Sequence, residues 1–130
     1  MQITRATDYA IRCVYCLARH PGELWMIDDI AREMEIPKSF LAKILQKLAR
    51  AKLVESQRGV RGGFRLARPP REISLHDVMV AIEGPVAMNV CTMEGGRCDR
   101  SGQCRVHPVW VTVRQEVEEI LKARNFADFL

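Results

Sequence analysis

The sequence predicts a mostly α-helical chain with one small β-hairpin, arranged as a winged helix-turn-helix followed by a long C-terminal helix. Three observations indicate this fold class. Apolar residues recur at helical spacing in several segments, short apolar runs flank one glycine-rich reversal, and basic charge is confined to one third of the chain. With 130 residues, of which 48% are hydrophobic, the chain fits one compact unit with a self-supporting core.

The first half of the chain predicts three helices. Residues 5–19 repeat apolar positions at helical spacing, Asp28 is suited to cap a short second helix, and Pro37 marks a turn. A third helix over 38–51 places its apolar residues on one face: Phe40, Leu41, Ile44, Leu45 and Leu48. Its other face is basic, as expected for the helix of a helix-turn-helix that enters the major groove of DNA.

Basic residues continue beyond this helix into the predicted hairpin. Residues 38–71 hold ten Lys or Arg against one acid, Glu55, so this segment carries a charge of +9 and the remainder carries −5. A solvated basic face is one interpretation, but such an asymmetry favours binding to a polyanion such as nucleic acid. The candidate DNA contacts lie on the third helix and the hairpin: Ser39, Lys43, Lys47, Arg58, Arg61 and Arg65.

Two further helices follow the hairpin. Ser74 and Asp77 have the spacing of a capping box, and Gly84 marks the end of that helix. A last helix from Pro108 carries an apolar seam with alternating steps of four and three: Val106, Trp110, Val113, Val117 and Ile120. The seam could pack within the chain, but we expect it to pair with a second copy in a symmetric dimer. The predicted segments are a DNA-binding domain (1–84), a cysteine-rich loop (85–107) and a dimerisation helix with its tail (108–130).

Three cysteines and one histidine fall within seventeen positions between these helices: Cys91, Cys98, Cys104 and His107. Thiolates and imidazole suit iron–sulfur clusters and zinc, and a thiol switch would need only two of these cysteines. The wide spacing favours a cluster over structural zinc, with zinc and a thiol switch as alternatives. Cys13 and Cys16 also form a C-x-x-C, but their position in the middle of a helix predicts core packing.

Other function classes fit less well. No apolar stretch approaches the ~20 residues of a membrane span and the N-terminal segment is charged, so we expect a soluble cytoplasmic protein. No nucleotide-binding loop, catalytic triad or substrate motif accompanies the cysteines, so we do not expect an enzyme.

Four stretches together resemble a known family: Ile3–Ala10, Ile36–Leu41 continuing to Val54, the wing Arg58–Leu66, and the cysteine loop. Over nearly the whole chain, the sequence is similar to the IscR/NsrR-like iron–sulfur regulators of the Rrf-two type of winged-helix transcription factors. The gap between Cys91 and Cys98 has six residues where IscR-like loops often have five. Ala42 and Lys43 also stand where IscR itself carries Glu and Gln, so operator preference does not transfer.

The resemblance implies a homodimeric repressor that binds an operator in double-stranded DNA and senses iron–sulfur cluster, iron or redox status. Its cluster ligands would be Cys91, Cys98 and Cys104, with a fourth ligand from either His107 or the partner subunit's Asp8. We favour His107 and a [2Fe-2S] cluster. The alternatives are a nitric oxide or iron sensor with a [4Fe-4S] cluster, and a zinc-stabilised DNA-binding protein without a sensing role.

Overall fold

The computed structural model describes residues 2–92, 98–100 and 102–130. Its described part contains five α-helices, which are α1 (Arg5–Ala18), α2 (Ile27–Met34), α3 (Lys38–Arg50), α4 (Leu75–Glu83) and α5 (His107–Ala123). Strands β1 (Val54–Gln57) and β2 (Gly63–Leu66) form an antiparallel hairpin between α3 and α4. Short 3-10 turns occur at Pro70–Glu72, Val90–Thr92 and Phe126–Phe129. The predicted fold class is confirmed.

The core lies among α1 to α4 and the base of the hairpin. It is built from the apolar faces predicted by helical spacing, and its largest fully buried side chains include Leu17, Ile30, Leu41, Leu45 and Phe126. Phe126 comes from the C-terminal turn, and its amide donates to the oxygen of Ile73 at 3.0 Å. The last residues therefore return to the core of the N-terminal half, while the division of the chain into three segments stays a prediction.

Three local predictions differ from the structure. Phe40 is 49% exposed and lies edge-on to Tyr9, because it stands beside the buried stripe of α3 and not within it. Asp28 does not cap α2, since the helix begins at Ile27 and the Asp28 carboxylate pairs with the ammonium of Lys38 at 2.7 Å. Helix α5 begins at His107, one residue before the predicted start. The capping box of Ser74 and Asp77 is present as predicted.

The hairpin is held against the connection between α1 and α2. Trp25 and Phe64 exchange two backbone hydrogen bonds, with N···O distances of 2.8 and 2.7 Å, so Trp25 adds a third short strand position to the hairpin. A Cβ on Gly63 would lie 2.6 Å from the backbone oxygen of Trp25, a distance that only glycine tolerates. The start of β2, next to the turn of the hairpin, is therefore fixed to the α1–α2 connection.

None of the helices in the described ranges combines the length and the apolar character needed to cross a membrane.

Candidate nucleic-acid interface and cysteine segment

Helix α3 separates an apolar face from a basic one. Leu41, Ile44, Leu45 and Leu48 are buried, and the opposite face exposes Ser39, Lys43 and Lys47. Within the described residues, neither of these two lysines forms an ion pair, whereas Lys38 at the start of the helix pairs with Asp28. The exposed face therefore offers two free ammonium groups and one hydroxyl to a ligand in solution.

The hairpin contributes arginines in two different states. Arg58 and Arg61 are exposed, and no described carboxylate pairs with either of them. Arg65 faces Glu55 directly across the hairpin, and its Nε lies 2.6 Å from Glu55 Oε1. The Arg65 guanidinium is therefore already partnered, and its charge is largely balanced by that of Glu55.

The pairing of β2 with Trp25 is the feature of this interface that sequence reasoning missed. Trp25 lies far along the chain from Phe64, and the pattern around Trp25 gives no signal of a strand. The adjacent glycines at 62 and 63 indicate that another backbone segment lies close to the hairpin, but they do not identify that segment.

Cys91 belongs to an ordered turn at Val90–Thr92. Its thiol is half-buried and donates to Asn89 Oδ1 at 3.0 Å. The Thr92 hydroxyl donates to the Asn89 backbone oxygen at 3.0 Å and accepts from the Met88 amide at 3.2 Å. Arg114 of α5 donates from Nη1 to the Thr92 oxygen at 2.9 Å. These contacts give Cys91 a defined position against α5.

The other cysteines of the predicted site are not gathered around Cys91. Cys98 and Cys104 are both exposed, and in the described ranges no group of three or more His, Cys, Asp or Glu side chains could hold a metal ion. Residues 93–97 and 101 of the cysteine loop lie outside the described part. Asp8, the alternative ligand, pairs with Arg12 at 2.8 Å. The structure thus leaves the predicted ligand set untested.

The donor chemistry of these residues nevertheless fits an iron–sulfur cluster or a zinc ion. Three thiols and one imidazole are soft or borderline ligands. His107 Nδ1 is a buried nitrogen with no hydrogen-bond partner among the described residues, as a nitrogen kept for a ligand would be.

Cys13 and Cys16 differ from the loop cysteines. Both are fully buried in α1, and burial raises the pKa of each thiol. Deprotonation is therefore disfavoured, and these thiols are unsuited to redox chemistry or metal binding. The prediction that they pack in the core is confirmed.

Comparison with known proteins assigns the chain to a family. The model of the Rrf2 family, described as an iron-dependent transcriptional regulator, matches residues 3–130. The chain belongs to the Rrf2 family. This Rrf2 chain is 44% identical over 99 residues to the protein aau3 of Rhizobium meliloti, an alignment that covers 76% of the chain and 64% of that relative. It is also 36% identical over 130 residues to the predicted HTH-type transcriptional regulator MT1325 of Mycobacterium tuberculosis, covering 98% and 80% of the two chains.

Solved structures of similar fold include two regulators. The T. potens IscR structure superposes on this Rrf2 chain with a TM-score of 0.78 at 26% identity, covering 99% of the chain and 85% of the IscR chain. CymR (YrzC), the global cysteine regulator of B. subtilis, gives a TM-score of 0.80 at 24% identity, covering 99% and 95%. The second likeness concerns the fold alone.

Proposed function

We propose that this Rrf2-family chain is a homodimeric repressor that binds operator DNA and reports the status of a [2Fe-2S] cluster. The observation that carries DNA binding is the set of exposed groups on α3 and the hairpin that no described acid neutralises: Ser39, Lys43, Lys47, Arg58 and Arg61. In a winged helix, the recognition helix enters the major groove and the wing contacts the minor groove or the phosphate backbone. We name the hairpin the wing below.

Each side chain has a role that its chemistry permits. Lys43 and Lys47 project from α3, where an ammonium contacts a guanine edge or a phosphate, and the Ser39 hydroxyl hydrogen-bonds to either. Arg58 and Arg61 reach the duplex from the wing. Arg65 contributes less than predicted, because Glu55 already holds its guanidinium.

Fluorescence anisotropy tests this interface on a duplex selected by the protein from a randomised pool. Replacing Lys43 by Ala should reduce affinity, and the slope of log affinity against log salt should fall by about one if the lysine contacts a phosphate. Lys122→Ala is the matched control, because it removes one charge from α5, outside the proposed DNA interface. Equal effects of both variants, or no selected duplex, would contradict DNA binding through α3.

The apolar surface of α5 is most simply buried by a second copy of the chain. No residue of this helix is buried, and the exposed apolar side chains on the helix and at its N-cap include Val106, Val109, Trp110 and Ile120. Three of these belong to the predicted seam. Two-fold symmetry also matches the paired half-sites that helix-turn-helix proteins read. Sedimentation equilibrium should give a dimer, and Ile120→Arg should shift it toward monomer without unfolding the chain.

The proposed cluster ligands are Cys91, Cys98, Cys104 and His107. A bound cluster would supply a centre whose state changes with oxidant, iron supply or nitric oxide. In this chain, Cys91 is presented by an ordered turn and His107 keeps its Nδ1 free of described partners. The carboxylate of Asp8 is already bound by Arg12, which favours His107 over the partner subunit's Asp8 as the fourth ligand.

Anaerobic purification with iron, sulfide and zinc counting and a visible spectrum tests the cluster. We expect two iron and two sulfide per chain. Cys98→Ser should abolish loading and His107→Ala should change the spectrum, whereas Asp8→Ala should leave it unchanged. Four iron per chain with loss of the spectrum in Asp8→Ala would support the [4Fe-4S] alternative. Zinc without iron would support a zinc-stabilised DNA-binding protein that does not sense.

A further inference from the structure

The tip of the wing carries an apolar side chain that touches nothing in the protein. Val60 has a relative exposure of 102%, so the chain covers none of its surface. It lies between Arg58 and Arg61, which are also exposed. Single exposed apolar residues are common, but this one stands at the outermost point of a hairpin whose two tip arginines have no described ion partner.

The backbone of this tip is closed and narrow. The Gly62 amide donates to the Gly59 oxygen at 3.0 Å, which closes a four-residue turn with Val60 and Arg61 at its corners. Gly59 has φ +113°, and a Cβ on Gly62 would lie 2.1 Å from the backbone oxygen of Gln57. Both positions therefore require glycine. The tip presents only three side chains, those of the valine and the two arginines.

We infer that this tip enters the minor groove of the operator and selects A·T base pairs there, with Val60 as the discriminating residue. The inference rests on the proposed function, because it concerns how the same interface chooses its DNA. The minor groove is about 6 Å wide, and a tip with glycines at two of its five positions is slim enough to approach its floor. A valine buried there contacts the sugar walls and the base edges.

Charge and hydrogen bonding both favour A·T pairs at this contact. A-tracts have a narrow groove with enhanced negative potential, which attracts the two arginines. At a G·C pair the N2 amino group of guanine projects into the groove as a donor. Valine offers that amino group no acceptor and its methyl groups occupy the same space. A G·C pair under the tip is therefore penalised, and Val60 contributes to the penalty through the amino group.

Base analogues test the effect of this amino group on binding separately from the other differences between the base pairs. The wild-type chain first selects a duplex from a randomised pool, and the pairs under the wing are then replaced in turn. We expect G·C replacement to weaken binding by about 5- to 150-fold, the range for one mismatched pair. Inosine·C has the minor-groove edge without the amino group and should restore affinity to within about 2-fold of A·T. Diaminopurine·T, which adds the amino group to an A·T pair, should bind as weakly as G·C.

Variants at the tip assign the preference to Val60. Val60→Ser replaces the methyl groups by a hydroxyl that accepts from the amino group, so the ratio of A·T to G·C affinity should fall toward one. Because Val60 contacts no protein atom, the fold should be unchanged by circular dichroism. Arg124→Ala, a control outside the wing, should keep the wild-type ratio.

The outcomes separate this inference from the proposed function. Equal wild-type affinity for A·T and G·C, inosine·C binding as weak as G·C, or an unchanged ratio in Val60→Ser would each overturn the role of Val60 while leaving DNA binding intact. If the wild-type chain selects no duplex, the proposed function fails together with the inference.

Discussion

Arg114 of α5 donates a hydrogen bond of 2.9 Å to the backbone oxygen of Thr92, the residue that follows Cys91. The Arg114 side chain also lies 3.7 Å from Glu118, one turn further along the helix. One guanidinium therefore joins the cysteine turn to the helix proposed for dimerisation. A change at Cys91 has a direct physical route to α5 through this contact.

Replacing Arg114 by Ala should loosen the turn that carries Cys91. The Thr92 oxygen loses a charge-assisted donor, which costs about 1.5–3 kcal/mol where the group is buried and less where water replaces the arginine. Amide hydrogen exchange over residues 88–92 should accelerate, with Thr92 as the most sensitive probe. Lys122→Ala, which removes the other described partner of Glu118, serves as the control. Equal exchange in the wild type and in Arg114→Ala would show that the contact does not hold the turn.

Glu83 should make stability depend on pH in the acid range. Burial raises the pKa of Glu83, but hydrogen bonds from Thr4 and Thr7 lower it more, so the net pKa lies below the ordinary value for glutamate. The Thr7 hydroxyl donates to Glu83 Oε1 at 2.7 Å. A carboxyl group with a lowered folded pKa stabilises above its unfolded pKa, about 4.3, and loses that contribution as pH falls through the folded value.

Glu83→Gln should therefore destabilise the chain at pH 7 by about 0.5–1 kcal/mol, a modest amount because solvent screens this exposed carboxylate. The difference from wild type should shrink as pH falls from the unfolded pKa of about 4.3 through the lowered folded pKa, because the wild-type carboxyl becomes protonated over that range. Urea unfolding at a series of pH values measures this difference in the free energy of unfolding. Glu119→Gln on α5 is the control, and a difference that stays constant with pH would argue against the carboxylate.

Arg65 and Arg58 should differ as DNA contacts although both were predicted. Arg58→Ala should weaken binding to a selected duplex by about 5- to 150-fold if the side chain reaches a base edge. Arg65→Ala should weaken it by less than about 3-fold, because Arg65 is held by Glu55 at 2.6 Å and already balanced. Anisotropy titrations at one salt concentration compare the two. Similar losses would mean that Arg65 leaves Glu55 on binding DNA.

Lys52 should be replaceable by glycine with a gain in stability. It follows the C-terminus of α3 with φ 62°, a left-handed conformation that costs a residue with a Cβ about 1–2 kcal/mol. Glycine avoids this cost but loses more entropy on folding, so Lys52→Gly should stabilise by about 0.5 kcal/mol in denaturant unfolding. Lys52→Ala removes the same charge and keeps the Cβ, so it should give no such gain. Equal stability of the two variants would remove backbone strain as the cause.

The features that the sequence predicts well are local ones. The buried stripe of α3, the capping box at Ser74 and the reversal between Gln57 and Gly63 depend on residues a few positions apart, which fix their own geometry. Phe40 was misplaced because spacing alone does not separate the centre of an apolar stripe from its edge. The pairing of Trp25 with Phe64 depends on residues distant in the chain, so no local pattern carried it.

The candidate site divides in the same way. Exposure of Lys43, Lys47, Arg58 and Arg61 follows from helical and hairpin geometry and could be predicted. The neutralisation of Arg65 needed the strand register that places Glu55 opposite it. Convergence of Cys91, Cys98 and Cys104 on one centre stays a prediction. The residue types identify the ligand atoms, but the glycines between them leave the path of the backbone undetermined.

The burial of Phe126 limits how α5 can move. Arg114, at the middle of the helix, ties α5 to the turn that carries Cys91. Just past the end of α5, Phe126 is enclosed by the core and the Arg124 oxygen accepts from the Leu75 amide at 2.9 Å. Because its C-terminal end is anchored to the core, α5 cannot move independently of the rest of the chain. Any displacement of α5 must also displace α4, which packs against it. In the proposed dimer, such a displacement would change both the spacing between the two copies and the tilt of each α3.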